Sequence, residues 1–274
     1  MSRRTVLFSP GNRGEMLRKA AGSGADIVVF DLEDAVGPDA KAAARETVTE
    51  VLSEPEFDTE SEVFVRVNEL PMGEEDLDSV LAAPATLDGL VLPKVRTADD
   101  VRELSDVVEQ RGHELPVFAL VETAAGVLHA ESIAAVEATD ALVFGAEDLA
   151  ADIGATRTED GDEVSYARQH VVLAARAGGI DAIDTIWPDI SDHDRLRTEA
   201  ERAVEFGYDG KMAIHPDQID PIHDAFAPDE DEIEWARRVV AASERHDGVF
   251  AIDGQMIDGP LIRQAHRLLD RADE

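Results

Sequence analysis

Residues 116–145 read PVFALVETAAGVLHAESIAAVEATDALVFG. An apolar run, Pro116–Val121, is followed by a helical stretch, Gly126–Glu137, and then by a second apolar run, Ala141–Gly145. Both runs are apolar nearly throughout, which suits strands covered on both faces, as in a parallel sheet. Strand, helix, strand in this order makes a right-handed βαβ unit. A polar pair, Glu122-Thr123, closes the first run, and Gly145-Ala146-Glu147-Asp148 closes the second.

The same unit recurs in both directions. Further apolar runs are Thr5–Ser9, Asp26–Asp31, Glu62–Val67, Gly89–Leu92, Gly179–Asp184 and Gly207–Ile214, which brings the number to eight. Helical stretches between them are predicted at Glu15–Gly22, Ala40–Leu52, Glu74–Ala82, Ala98–Arg111, Ser165–Ala177 and Arg195–Phe206, with another at Asp229–His246. Eight strand–helix units in 274 residues predict an α/β fold, a (β/α)8 TIM barrel, close to the ~250 residues usual for one. A doubly wound sheet is the alternative, but no G-x-G-x-x-G follows the first strand. The barrel is expected over residues 1–225. Residues 226–274 form a C-terminal helical extension, ending in Gly248–Ile257 and a helix from Pro260 to Ala272, expected to contact a neighbouring subunit.

The chain carries 60 acidic and 25 basic residues, a net charge of -35, and no cysteine. The acids lie along helix faces among periodic apolar residues, so they read as a solvated surface rather than a disordered tail. Self-repulsion on this scale is tolerated where salt screens it, as in a halophile, and a high-salt cytoplasm is expected. The start, MSRRTVLFSPG, lacks the apolar core of a signal peptide. At this charge no nucleic acid and no anionic membrane is expected as a partner, and no stretch approaches the ~20 apolar residues of a span. Without cysteine there is no disulfide, thiolate metal site or thiol nucleophile. Residues 1–50 stand apart, with eight acids against seven bases. This segment is the candidate for holding a polyanion; helix ion pairs are the plainer explanation.

Active sites of such barrels lie at the C-terminal ends of the strands. There the sequence places Ser9 to Arg13, then Asp31, Glu33 and Asp34, then Arg66 and Asn68, then Lys94, Glu122, Glu147 and Asp148, Asp184, and His215. Converging carboxylates repel unless a cation joins them. Oxygen ligands without Cys or a histidine pair favour Mg2+, with Mn2+ as a substitute, and Glu122 and Asp148 would hold it. Any single carboxylate could instead cap a helix or pair with Arg66 or Lys94. Arg66 suits a substrate carboxylate, because its planar fork binds one bidentately. Metal beside arginine suits a small 2-oxo acid such as glyoxylate and aldol-type bond making and breaking. Lys94 and Lys211 keep a Schiff-base aldolase open.

These residues sit in a series of motifs: LFSPGN at 7–12, DLEDAV at 31–36 with Lys41 and Ala44-Arg45, VRVN at 65–68, LPKV at 92–95 and ETAAG at 122–126. FGAEDLAADIGA at 144–155, AARAGGIDAIDT at 174–185, GKMAIHPDQI at 210–219 and DGQMID at 253–258 follow. From about residue 4 to 272 the chain resembles the CitE-like group of the HpcH/HpaI aldolase superfamily. That group holds citrate lyase β subunits and malyl-CoA, β-methylmalyl-CoA and citramalyl-CoA lyases. The resemblance implies a (β/α)8 barrel with Mg2+ on Glu122 and Asp148 and the oxo-acid or hydroxy-acid part on Arg66. It implies acyl-CoA contacts at Phe8, Arg13 and Lys19 and through backbone near Ile214 and His215. Glu122 and Glu147 are counted with the substrate contacts, and Asp31, Glu33 and Asp34 with the residues that steady them. It also implies an acid/base at Asp258, reaching a neighbouring subunit's site in a homotrimer or homohexamer. Gln255 departs from the lysine usual in that stretch. The reaction expected is reversible cleavage of malyl-CoA or β-methylmalyl-CoA to glyoxylate and acetyl- or propionyl-CoA. Malate synthase-type chemistry, citramalyl-CoA cleavage, a CoA-independent class II aldolase and a non-enzymatic carrier are the alternatives.

Overall fold

The computed structural model describes residues 3–272 apart from 56, 58, 84–86 and 247; the outermost residues of the two expected segments, 1–2 and 273–274, lie outside these. In chain order the elements are β1 (Thr5–Pro10), α1 (Gly14–Ala21), β2 (Ile27–Asp31), α2 (Lys41–Leu52), β3 (Glu62–Arg66), α3 (Gly73–Val80), β4 (Gly89–Leu92) and α4 (Ala98–Glu109). Next come β5 (Val117–Val121), α5 (Ala124–Leu128), α6 (Ala130–Ala134), β6 (Thr139–Phe144), α7 (Ala146–Asp152), α8 (Ser165–Gly178), β7 (Asp181–Asp184) and α9 (His193–Phe206). The chain continues with β8 (Gly210–Ala213), α10 (Ile219–Phe226), α11 (Glu230–Ser243), β9 (Phe250–Ile252), β10 (Gln255–Ile257) and α12 (Gly259–Ala272). Strands β1 to β8 close into a parallel barrel, β1 pairing with both β2 and β8.

Side chains alternate along each strand, and the two sets bury themselves differently. Val6, Ile27, Val29, Phe64, Phe118, Leu120, Val143, Ile183 and Met212 fill the barrel interior as one cluster. Val28, Phe30, Val63, Val65, Leu142 and Ala182 point outward and pack under the helices. This two-sided burial is why the strands read as apolar runs. The Phe64 and Phe118 rings meet inside at 4.5 Å between centroids. Gly89 makes this possible, because a Cβ there would run into the Phe64 ring. Truncating either ring would cost about 3–5 kcal/mol.

The same parity places the mouth. Two residues beyond the last inward core side chain come Phe8, Asp31, Arg66, Glu122, Gly145, Thr185 and Ile214, all facing one opening. Asp184 and Lys211 have the opposite parity and are buried beneath the helices. Asp184 therefore does not belong to the opening, contrary to its place in the strand-end series.

The floor is tied by arginine. Arg3 bonds Glu62, Asp140 and Asp181, at the starts of three strands, with its Nη1 at 2.6 Å from Asp140 Oδ2. Arg4 pairs with Asp26 at 3.2 Å. The helix predicted over Gly126–Glu137 is two short helices broken at His129. His129 leaves helical geometry at φ -115 and ψ 10, and its Nδ1 lies 2.9 Å from Arg96 O.

Beyond α10 the extension makes its own core. Ala236, Val239, Ile257, Ala265 and Leu268 form a cluster separate from those of the barrel, with Trp235 and Phe250 against it. Asp229 starts α11 in a capping box with Glu232. β9 and β10 form an antiparallel hairpin turned by Asp253 and Gly254, both at positive φ.

Candidate active site

The opening is a cavity of about 300 Å3. Its polar side joins the ends of β2, β3 and β5 to the first turn of α7; its apolar side is Phe8, Leu120, Ile186 and Met212.

Arg66 is held on Asp31 by two parallel bonds, Nε to Oδ1 at 2.7 Å and Nη2 to Oδ2 at 2.5 Å. Asp31 is fixed from the other side by the Glu33 and Ala35 N–H groups at 2.8 and 3.2 Å. Arg66 Nη1 lies 3.4 Å from Glu33 Oε2, and the guanidinium stacks over Phe8 at 5.2 Å. Burial works against the cation, but Asp31 and Glu33 outweigh it and raise the Arg66 pKa. The Arg66 fork thus grips Asp31 first, leaving its remaining Nη protons for a ligand.

Lys94 sits at φ 52, a left-handed conformation that costs a lysine about 1–2 kcal/mol. The bend aims two groups at once. Its N–H donates to Glu122 Oε1 at 2.8 Å, and its ammonium pairs with Glu33 and with Asp34, the latter at 3.3 Å. Burial is outweighed by Glu33 and Asp34, and the ammonium pKa is raised. Lys211 is 1% exposed and bonded to Asp184 at 2.7 Å, away from the cavity. Neither lysine offers a free amine, so the Schiff-base alternative has no nucleophile here.

The β2 carboxylates are therefore matched by Arg66 and Lys94. Glu122 and Asp148 are not: among the described residues no side-chain cation pairs with either. Glu122 is 2% exposed. Burial pushes its carboxyl up, the neighbouring Asp148 adds to this, and the pKa reaches about 8. Gly145 lets the two come together, since a Cβ there would stand 2.6 Å from both Glu122 Cβ and Oε2. Arg66 acts on Glu122 only at a distance, and two facing carboxylates without a direct ion-pair partner fit a hard divalent cation. No cluster of three or more Asp, Glu or His ligands forms among the described residues, so its other positions would go to water or substrate oxygens, as Mg2+ prefers. Glu147 lines the cavity but is paired to Arg157 at 2.9 Å.

The seven bases of residues 1–50 separate cleanly. Arg3 and Arg4 tie the far end of the barrel. Arg18 pairs with Glu54, Lys41 donates to the Leu32 and Glu33 carbonyls, and Arg45 bonds Glu75 and Asp76. Ion pairs take up four of them and backbone carbonyls take up Lys41, which leaves two bases of the segment for a ligand. Arg13 and Lys19 are exposed, on the loop after β1 and on α1. Among the described residues their side chains have no partner. Ile214 lines the cavity and His215 follows it, with Nδ1 accepting from the Asp217 N–H at 3.2 Å. Asp258 lies outside this cavity, half-buried before α12, its Oδ1 3.5 Å from the Leu261 N–H.

The residues missed from sequence are Arg157, Thr185 and Arg168. Thr185 stands in the sequence only as the last residue of AARAGGIDAIDT, although its inward parity is readable by counting two from Ile183.

Comparison with known proteins agrees with this geometry. Residues 4–216 match the HpcH/HpaI aldolase/citrate lyase family. The chain is 40% identical over 279 residues to a citrate lyase subunit beta-like protein of Deinococcus radiodurans, covering 97% of this chain and 96% of that one. It is 36% identical over 293 residues to the mitochondrial citramalyl-CoA lyase of Mus musculus, covering 98% and 86%. The crystal structure of CitE from Mycobacterium tuberculosis in complex with magnesium, acetoacetate and coenzyme A superposes with a TM-score of 0.87 at 37% identity, covering 100% and 99%. With a closed barrel, an arginine-steadied cavity and matches over nearly its whole length, this chain belongs to the HpcH/HpaI aldolase/citrate lyase family and is a carbon–carbon lyase of the CitE-like group.

Proposed function

We propose that the protein interconverts a 3-hydroxyacyl-CoA with a short acyl-CoA and a small 2-oxo acid, with Mg2+ held by Glu122 and Asp148. The observation that carries this is the Glu122–Asp148 pair, without a direct cation partner among the described residues, beside the Asp31-braced Arg66. Mg2+ bound there supplies Lewis acidity toward the oxo-acid carbonyl. Arg66 takes the substrate carboxylate with its free Nη protons, and its charge stabilises the developing alkoxide in an environment already organised for it. Asp31, Glu33 and Asp34 hold Arg66 and Lys94 in place and so pre-set that field.

Arg13 and Lys19 suit the phosphates of CoA, being the basic residues of the first 50 that nothing else employs. Phe8 and the backbone at Ile214 and His215 line the path inward, and Glu147 meets the substrate at the cavity wall. Asp258, outside its own cavity, acts from the extension on the cavity of a neighbouring subunit in a trimer or hexamer. In the condensing direction it takes the proton next to the thioester, and in cleavage it returns it. The net charge of -35 suits operation in a salt-rich cytoplasm.

Malyl-CoA and β-methylmalyl-CoA, yielding glyoxylate, are the first substrates. Citramalyl-CoA, yielding pyruvate, is the second, supported by the apolar wall of Leu120, Ile186 and Met212, where a methyl group fits. The test is release of glyoxylate or pyruvate from the three thioesters at high KCl, with and without Mg2+, while free CoA is followed. Mg2+-dependent oxo-acid release supports the reading, and free CoA would identify an added hydrolysis. Folded, Mg2+-loaded protein that releases no oxo acid from any of them would overturn it.

A further inference from the structure

A buried ion network lies behind the cavity, between the barrel and α8 and α9. Asp184 is fully buried. Arg168 of α8 grips it with Nε to Oδ1 and Nη2 to Oδ2, both at 2.8 Å, and Lys211 Nζ adds a bond to Oδ2 at 2.7 Å. Glu199 of α9 completes the charge balance at 3.1 Å from Arg168 Nη1. The Tyr208 hydroxyl donates to Arg168 O at 2.7 Å. Two cations and two anions out of water gain little stability over an apolar core of the same shape. Their value lies in what they hold in place.

Lys211 makes one further bond, from Nζ to Thr185 O at 2.7 Å. Thr185 has inward parity and lines the cavity. Its Oγ1 accepts from the Ala146 N–H at 3.1 Å. Ala146 opens α7, and its N–H is among those a helix start leaves without an intrahelical partner. The preceding Gly145 N–H is fixed on Val121 O at 3.2 Å, next to Glu122. The start of α7 is therefore pinned on two sides, to β5 through Gly145 and to β7 through Thr185. Asp148 rides on that turn.

We propose that Lys211 and Thr185 are positioning residues for the Asp148 carboxylate. The chain Arg168–Asp184–Lys211–Thr185–Ala146 sets where Asp148 stands relative to Glu122, and with it the affinity for the divalent cation. This rests on Glu122 and Asp148 being the metal pair.

Thr185→Val keeps the shape and removes the acceptor, Thr185→Ser restores it, and Lys211→Met cuts the link one step further back. Mn2+ binding is measured directly by calorimetry, and Tm is measured in EDTA. The expected result is a roughly tenfold weaker Mn2+ affinity for Thr185→Val, equal to the loss of one hydrogen bond of about 1.4 kcal/mol. Thr185→Ser returns to within about twofold of wild type, and Lys211→Met weakens binding at least as much as Thr185→Val. A Tm drop with unchanged Mn2+ affinity would reduce the network to a structural role and overturn the proposal. Should Lys211→Met not fold, Thr185→Val and Thr185→Ser decide alone. Wild-type protein that binds no Mn2+ would instead remove the metal pair itself, and the inference with it.

Discussion

Arg66 and Asp31 are joined by two parallel bonds of 2.7 and 2.5 Å, from the ends of adjacent strands β3 and β2. A guanidinium held in this way faces the cavity in one orientation. A lysine ammonium cannot copy the fork. Arg66→Lys should lower kcat/KM about 10²–10³-fold, with the loss mainly in kcat, while Mg2+ still binds. Steady-state oxo-acid release measures the first and calorimetry the second.

Burial and the neighbouring Asp148 hold the Glu122 pKa at about 8, so at neutral pH the metal-free pair keeps a proton that a divalent cation would displace. Adding Mg2+ to EDTA-treated protein should raise Tm and restore activity. In Asp148→Asn one buried charge is gone and the contact to Glu122 can still be made, so the metal-free variant should melt no lower than wild type, yet gain nothing from Mg2+. A thermal shift series with and without Mg2+ checks both arms. A variant that Mg2+ still stabilises fully would displace Asp148 from the metal.

Arg13 and Lys19 should act on binding rather than on the chemical step. Each change to alanine should raise KM for the CoA thioester about 3–10-fold with kcat nearly unchanged. Because both side chains are exposed, the effect should shrink as KCl increases. The same substitutions should leave an oxo acid's own KM in the condensing direction unaltered.

The fold was legible because buried parallel strands leave apolar runs that need no further context. All eight runs became strands, and strand ends located the opening. What the runs did not yield was parity at their last residue. Asp184 ends its run as plainly as Glu122 follows its own, but one faces the helix layer and the other the cavity. Counting by twos from Ile183 would have separated them. The α7 helix, AEDLAAD, is only seven residues long and too short to show a helical period in the sequence. The basic N-terminal segment reads as one patch, whereas five of its seven charges are taken up within the fold, those of Arg3 and Arg4 at the far end of the barrel. That needed coordinates, since ion-pair partners such as Asp140 and Asp181 are over a hundred residues from Arg3. The Asp253-Gly254 turn was a missed local signal for the hairpin.

Asp26 gives a pH test away from the cavity. Burial pushes its carboxyl up, but hydrogen bonds with His223 and Arg4 outweigh this and bring the pKa to about 2, from 3.8. A lowered carboxylate pKa adds stability above pH 3.8, and that contribution is lost as pH falls through 2. Screening at this partly open site limits it to about 1–2 kcal/mol. Denaturant melts of wild type and Asp26→Asn should differ by this amount at pH 5 and converge toward pH 2. Parallel curves across that range would refute the assignment.

Gly145→Ala tests the closeness of β6 to Glu122. The new methyl would press on the Glu122 side chain, at a cost of about 1–3 kcal/mol. Mg2+ affinity should fall more than stability does, because the displaced atoms belong to the carboxylate. Calorimetry with a chemical denaturation curve separates the two.

Residues 227–229 are the whole covalent bridge between α10 and a unit whose apolar core, around Val239, Ile257 and Leu268, shares nothing with the barrel's. Damage on one side of that bridge need not spread to the other. An exchange of terminal units between related barrels, cut at these three residues, should therefore yield folded hybrids.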